Sequence, residues 1–395
     1  MKASRQLSAF ESPTQLIDPS QPDPRIRLLP GRLRSTVCGI GLVVLSLGFS
    51  VARGQQFLPP SSTVASTVPT RGDLNPYGIA FVPSGVSSTI LKPGDVVVSN
   101  FNAPSNKQGT GTTIVKLVTD SKPVTFFQGQ NLGLTTALVV LKSGFVLVGN
   151  LPTTNGTTIR PPGSLLVINP EGRLVSELKD ATLLDGPWDM TVISEPSPPQ
   201  TSKVTVAVSN VLSGTVARID INIGDSGATL LPSSVIIASG YKHGRDPAAL
   251  VVGPTGLAYD PASRVLYVAS TADNKVFGIM NADTTKDNGT GTLIYQDDDH
   301  LRGPPALALA PNGDLVTANG DAVNPPSDAQ HASEIVEFTK TPPGQFVAQM
   351  QVDPMPGAAF GLAIELGTNG HSRFAAVNDN TNTATVWRLG PSSGN

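Results

Sequence analysis

The sequence predicts an all-β protein, a six-bladed β-propeller of four-stranded antiparallel blades, and three observations carry that expectation. Val, Ile, Leu, Thr and Ala alternate between turn residues, and no long stretch spaces apolar residues three and four apart. A hairpin pattern recurs six times, with first-strand anchors at 78, 137, 189, 256, 306 and 361. The last repeat lacks an outer strand, and one stretch on the N-terminal side of the repeats is free to supply it.

Residues 1–54 read as a signal peptide with a long basic n-region. Arg25, Arg27, Arg32 and Arg34 precede an apolar run over 37–51, and Ser50, Ala52 and Gly54 supply small residues for cleavage. This layout is too short for a comfortable membrane span, so export to the periplasm or exterior is expected, with no stable membrane insertion after cleavage. Cys38, the only cysteine, lies in this segment. The remainder therefore has neither disulfide nor thiolate chemistry, and a metal there needs oxygen or imidazole ligands. Residues 1–54 hold seven of the 27 basic and three of the 30 acidic residues, so their removal leaves a net charge of −7. With no run of Lys or Arg left to track phosphates, a nucleic-acid partner is not expected.

The blades are expected at about 75–129, 130–180, 181–240, 246–297, 302–353 and 357–390. First strands read at 77–82, 137–141, 188–193, 256–259, 306–310 and 360–364. Second strands end at Asn100, Asn150, Asn210, Thr271, Asn319 and Asn378. The fifth repeat shows the unit plainly: alternation, a Pro311-Asn-Gly-Asp314 turn, alternation again, then Asn319. Third strands follow at 113–117, 164–168, 215–219, 275–279, 334–338 and 384–388. Fourth strands follow in five repeats, at 124–127, 174–178, 235–238, 292–295 and 346–350. The sixth outer strand is assigned to 56–70, within a closing segment 55–74, where Pro59 and Pro60 suit a sheet edge. Its Ser/Thr/Pro content also fits a flexible linker.

Asn75-Pro-Tyr-Gly, Gly186-Pro-Trp-Asp-Met, Asp246-Pro-Ala-Ala-Leu and Ala269-Ser-Thr-Ala-Asp-Asn274 give residues 75–390 a further character. The chain resembles NHL-repeat propellers, and as a whole a family of secreted bacterial proteins without an assigned activity. That resemblance implies the fold and leaves the chemistry open, because propellers host lactonases, lyases, oxidoreductases and pure binding modules.

Strand order fixes where a site must lie. Second-to-third loops and the connections between blades share one face, around the mouth of the central channel. The first set brings Asn100, Asn102, Asn150, Asn210, Asp273, Asn274, Asn319, Asp321, Asn378 and Asp379. Each is either a turn device bonded to its own backbone or one member of a ring facing a ligand. The connections bring Trp188 and Asp189, then His243, Arg245 and Asp246, then His300 and Arg302. His243, His300 and Asp246 are candidate acid–base groups or parts of solvated loops, and Trp188 is a packing residue or a stacking platform.

Two functions remain open. The first is an exported, monomeric propeller that binds a polar small molecule, glycan or peptide at the mouth. No nucleophile elbow, phosphate loop or HExxH motif argues otherwise. The second is a hydrolase, lactonase or lyase that depends on calcium or another divalent cation. A resemblance to gluconolactonase and regucalcin-like propellers implies a cation site at the mouth, to which Asn150, Asn210 and Asp273 would correspond. The glutamate that family places at the start of a first strand is absent from 76–78.

Overall fold

The computed structural model describes residues 62–196, 203–224, 226–367 and 372–389; the expected signal segment 1–54, residues 55–61 and His371 lie outside the described residues. The first strand, β1 (Ser62–Ser66), precedes the blades. Blade one is β2 (Leu74–Phe81), β3 (Val96–Asn102), β4 (Thr113–Lys116) and β5 (Val124–Gln128), and blade two is β6 (Leu134–Val140), β7 (Val146–Asn150), β8 (Ser164–Ile168) and β9 (Leu174–Leu178). Blade three has β10 (Pro187–Ser194), β11 (Lys203–Asn210) and a long β12 (Thr215–Gly224). The far end of β12 pairs with β13 (Gly227–Leu230) and its near end with β14 (Val235–Ala238). A separate hairpin follows, β15 (Gly244–Asp246) and β16 (Leu250–Val252), where the sequence pattern shows no strand.

Blade four is β17 (Pro254–Asp260), β18 (Val265–Ser270), β19 (Lys275–Ile279) and β20 (Thr292–Tyr295), and blade five is β21 (Leu307–Leu309), β22 (Leu315–Ala318), β23 (Glu334–Phe338) and β24 (Phe346–Gln351). Blade six has only β25 (Ala359–Glu365), β26 (Ser372–Asn378) and β27 (Thr383–Leu389) from its own repeat. Its fourth strand is β1, antiparallel to β27 from Ser62 opposite Trp387 to Ser66 opposite Thr383. Thr67 completes the closure, donating from both its N–H and its hydroxyl to the Asn382 carbonyl. The fold is a six-bladed β-propeller, closed by the N-terminal segment.

Blades pack face to face because alternate residues of each strand are apolar on both sides. Between neighbouring blades lies an apolar seam: Val97 and Leu166 are in the seam between blades one and two, Leu147 and Val206 in the next. The seam between blades six and one joins Val98 to Ala375 and Val377, so it is built like the others.

The innermost strands are close-packed. In five blades the first strand bulges against the second, as between Pro76 and Ile79 or Pro187 and Met190. A bulge re-aims one side chain and tightens the local twist. In blade six the second bulged residue, Gly361, faces the backbone of blade one: a Cβ there would stand 2.0 Å from the Tyr77 carbonyl oxygen. Only glycine fits there.

The closing strand gives a test. Pro at both Thr63 and Val64 breaks the β1–β27 ladder whichever N–H faces β27. We expect the unfolding midpoint to fall by roughly 5–10 °C and the bared β27 edge to pair between molecules, read by calorimetry and size-exclusion chromatography. An unchanged midpoint and a monomeric elution would contradict this role.

Candidate functional site

The conserved geometry of the rim begins with the residue that ends each second strand. Asn100 donates from Nδ2 to the Thr67 carbonyl at 3.1 Å, Asn210 to Leu183 at 3.0 Å, Asn319 to His300 at 2.7 Å and Asn378 to Val352 at 3.2 Å. Every acceptor belongs to the connection that enters the same blade. In blade two the direction reverses, and Asn150 Oδ1 accepts the Gly133 N–H at 2.9 Å. Blade four has Ser270 at this position, and Asp273 takes over: its carboxylate accepts the Lys242 N–H at 3.1 Å and the Ser270 hydroxyl at 2.7 Å. These side chains are therefore clamps on the inter-blade connections. Asn100 and Asn210 keep a buried Oδ1 with no hydrogen-bond partner, which leaves them one free acceptor each.

The proposed cation ligands serve three separate connections. Asn150 is committed at both amide atoms, to Gly133 and Ser164, while Asn210 holds Leu183 and Asp273 holds Lys242. Among the described residues, no three or more carboxylates and imidazoles stand close enough to hold a metal ion. Of the three, Asn150 and Asp273 are bonded within the protein, and Asn210 keeps its Oδ1 free.

The two histidines have separate partners. His243 is exposed, and its Nδ1 lies 3.0 Å from the Tyr241 carbonyl oxygen. His300 stacks on Phe346 of the outer strand of blade five, ring centroids 3.8 Å apart, with Nδ1 2.6 Å from Asp297 Oδ2. Asp297 also accepts the Tyr295 hydroxyl, and these bonds outweigh burial to hold its carboxyl below the usual range. Asp246 caps the β15–β16 turn, accepting the Ala248 and Ala249 N–H groups at 2.8 Å. Arg302 reaches the Asp299 carbonyl, and Arg245 the Thr157 carbonyl at 3.3 Å.

What the mouth contains instead is an aromatic floor. Three first-strand bulges turn Tyr77, Trp188 and Phe360 inward. Tyr77 stacks between Phe101 at 4.4 Å and Phe360 at 4.3 Å, with Trp188 edge-on at 5.9 Å. Trp188 is 3% exposed, so it belongs to the floor and offers no open stacking face. Leu250 and Val251 of the β15–β16 hairpin pack onto this cluster. The hairpin leaves the connection between blades three and four and meets the loops of blades one and two, through Gln108 to the Ala248 carbonyl and Arg245 to Thr157. It is a roof across the mouth. Two long, exposed hydrogen bonds hold its tip, and Leu250 carries a left-handed φ of 66°, a backbone state that costs a non-glycine residue free energy.

The residue after each clamp is Phe101, Leu151, Val211, Thr271, Gly320 or Asp379, and the first three join the aromatic cluster. Asp379 alone is ionisable. No described group hydrogen-bonds to its carboxylate, which lies deep but partly open. Burial, then the like charge of Asp353, pushes its carboxyl up to about 7. Asp353 stays ionised: burial works against it, but hydrogen bonds from Asn378, Met355 and Asn380 hold it below the usual range. Tyr77 is 2% exposed, its hydroxyl likewise makes no hydrogen bond, and burial followed by the Asp379 charge pushes it well above an ordinary phenol. Deeper in the channel, Asp189 accepts the Leu257 N–H at 2.9 Å and its neighbour's at 2.8 Å. It ties blade three to blade four, and burial raises its carboxyl despite these bonds.

Comparison with known proteins bears on fold. No family model and no curated protein matches the chain. Among solved structures, an α-L-arabinofuranosidase from Fusarium graminearum aligns with a TM-score of 0.50 and 14% identity, over 84% of this chain and 98% of that one. A gluconolactonase from Xanthomonas campestris gives 0.47 and 11%, over 83% and 90%. A calcium-binding regucalcin from Agrobacterium tumefaciens gives 0.46 and 13%, over 83% and 93%. At these identities the likeness is one of fold alone.

Two outcomes follow from the rim. Asn319→Ala removes both clamp bonds of blade five, to His300 and from Arg302, and should cost about 2–4 kcal/mol in chemical denaturation; a loss below 0.5 kcal/mol would sink the clamp role. Asp379 binds its proton more tightly folded than unfolded, so its contribution to stability is lost as pH rises from the usual carboxylate range to about 7. Asp379→Asn should therefore be more stable than wild type at pH 8 by on the order of 2–4 kcal/mol, with the difference gone near pH 4. A difference independent of pH would contradict the assignment.

Proposed function

We propose that this protein is an exported ligand-binding propeller, taking a small polar molecule, a glycan or a peptide end at the roofed mouth of its channel. The observation that carries this reading is the β15–β16 hairpin. Among the described residues it is the one inter-blade connection with strands of its own. It contributes nothing to ring closure, yet it sets two apolar side chains on the aromatic floor. A floor of ring faces with one carboxylate at its edge is suited to a ligand that offers an apolar face and at least one donor. Export is supported by the basic segment and the apolar run of residues 25–51.

A reversible lock on the hairpin tests this. With Cys38→Ser, the pair Gln108→Cys and Ala248→Cys would join the hairpin tip to the loop of blade one, where a hydrogen bond already links them. Sugars, amino acids, short peptides and amines are screened by ligand-observed NMR against the oxidised and reduced protein. We expect bound compounds to lose affinity by about ten-fold or more on oxidation and recover it on reduction. Equal affinity in both states would place the site elsewhere.

A further inference from the structure

The centre of the mouth holds two polar groups that the protein leaves without partners, and they are neighbours. One is the Asp379 carboxylate and the other the Tyr77 hydroxyl: the Asp379 N–H bonds the Ala358 carbonyl, two residues before Phe360, and the Phe360 ring stacks on Tyr77 at 4.3 Å. Three other carboxylates near this rim are bonded within the protein, while Asp321 and Glu334 each keep one buried oxygen free. Asp353 takes three hydrogen bonds, Asp273 two, and Asp73 three from Thr112 and Thr113. At the matching position the other blades carry Phe101, Leu151, Val211, Thr271 and Gly320. An apolar or small side chain is therefore compatible with the repeat, and Asp379 answers no need of the blade itself.

The surroundings select the sign of what it binds. The one charged neighbour acting on Asp379 is Asp353, a second carboxylate. Aromatic faces add negative potential, and the ring of Phe360, partly exposed, stands beside this position: the Asp379 N–H donates to Ala358, two residues before it. A neutral hydroxyl would meet one acceptor and leave the field uncompensated. A primary ammonium carries three N–H donors and a charge, enough to satisfy the carboxylate and the phenol oxygen together.

We propose that Asp379 and Tyr77 form an anchoring subsite for a primary ammonium group, with the attached chain or ring lying along Phe360 beneath the hairpin. The ligand class is an amine, such as an amino sugar, a polyamine or a peptide N-terminus. This rests on the reading of the mouth as the ligand site and narrows it.

Phenethylammonium and its neutral counterpart 2-phenylethanol separate the two levels. Binding is measured by isothermal calorimetry on the full chain at low and high salt, for wild type, Asp379→Asn and Tyr77→Phe, with circular dichroism to confirm folding. The ammonium should bind and the alcohol should bind at least about ten-fold more weakly. Asp379→Asn should erase that preference, Tyr77→Phe should reduce it, and salt should weaken the ammonium alone. Equal binding of both probes, unaffected by Asp379→Asn, would overturn the ammonium subsite while leaving the mouth a ligand site. Binding of neither probe to wild type would also overturn the subsite. Loss of both probes on locking the hairpin, with no preference between them, would leave only the broader reading standing.

Discussion

The clamp at the end of each second strand is the interaction on which the rest of the mouth depends. A blade is a meander whose last strand lies outside and whose successor begins at the centre, so each connection must cross the rim and be held there. An Asn amide, or in blade four an Asp carboxylate, bonds the connection that enters its own blade. The next residue joins the central cluster in blades one, two and three, as Phe101, Leu151 and Val211. The first-strand bulge opposite does the same for a second residue. These positions supply the aromatic floor and Asp379, while the clamps hold the connections between blades.

That division explains what could be read from the sequence. The alternation, the turns and the missing sixth outer strand were legible because strand pairing imposes a period of two and an exposed edge is costly. The recurrence of Asn was equally plain, and its meaning was not. A side chain that pins a neighbouring connection and one that faces a ligand occupy the same loop in the sequence, and only the partners tell them apart. Trp188 is similar: its bulge turns it into the floor, but a bulge leaves no mark on the pattern beyond the small residue or proline beside it. The hairpin over Gly244–Val252 was hidden because its strands are three residues each and its turn is Asp246-Pro-Ala-Ala. Asp379 was legible as one of the second-to-third loop residues, and aligning the residue after each clamp singles it out as the one charge there. Tyr77 could have been found only from the fold, because its neighbours across the mouth come from blades one, three and six.

The mouth combines two states of satisfaction. Its rim is bonded at every clamp, with a free Oδ1 left on Asn100 and Asn210, and its centre pairs an apolar floor with an acid and a phenol that the protein leaves free. A roof made from a single insertion covers that centre, and its hold is slight where it touches blades one and two. Ring closure does not require the roof, the acid or the phenol, so their coincidence at one point is best accounted for by a ligand. The propeller supplies rigidity, and the hairpin supplies the one element at this face that can move without opening a seam.

Whether the roof opens is the most direct question to put to this account. Trp188 and Trp387 are the only tryptophans, so Trp387→Phe leaves a single indole on the floor. Acrylamide quenching of Trp188 is then compared before and after the hairpin tip is tied to blade one by the reversible disulfide. The account predicts quenching several-fold stronger in the untied protein, and restored when the disulfide is reduced. Equal, weak quenching in the tied and untied proteins would mean that the hairpin is a fixed part of the core and that the mouth admits nothing.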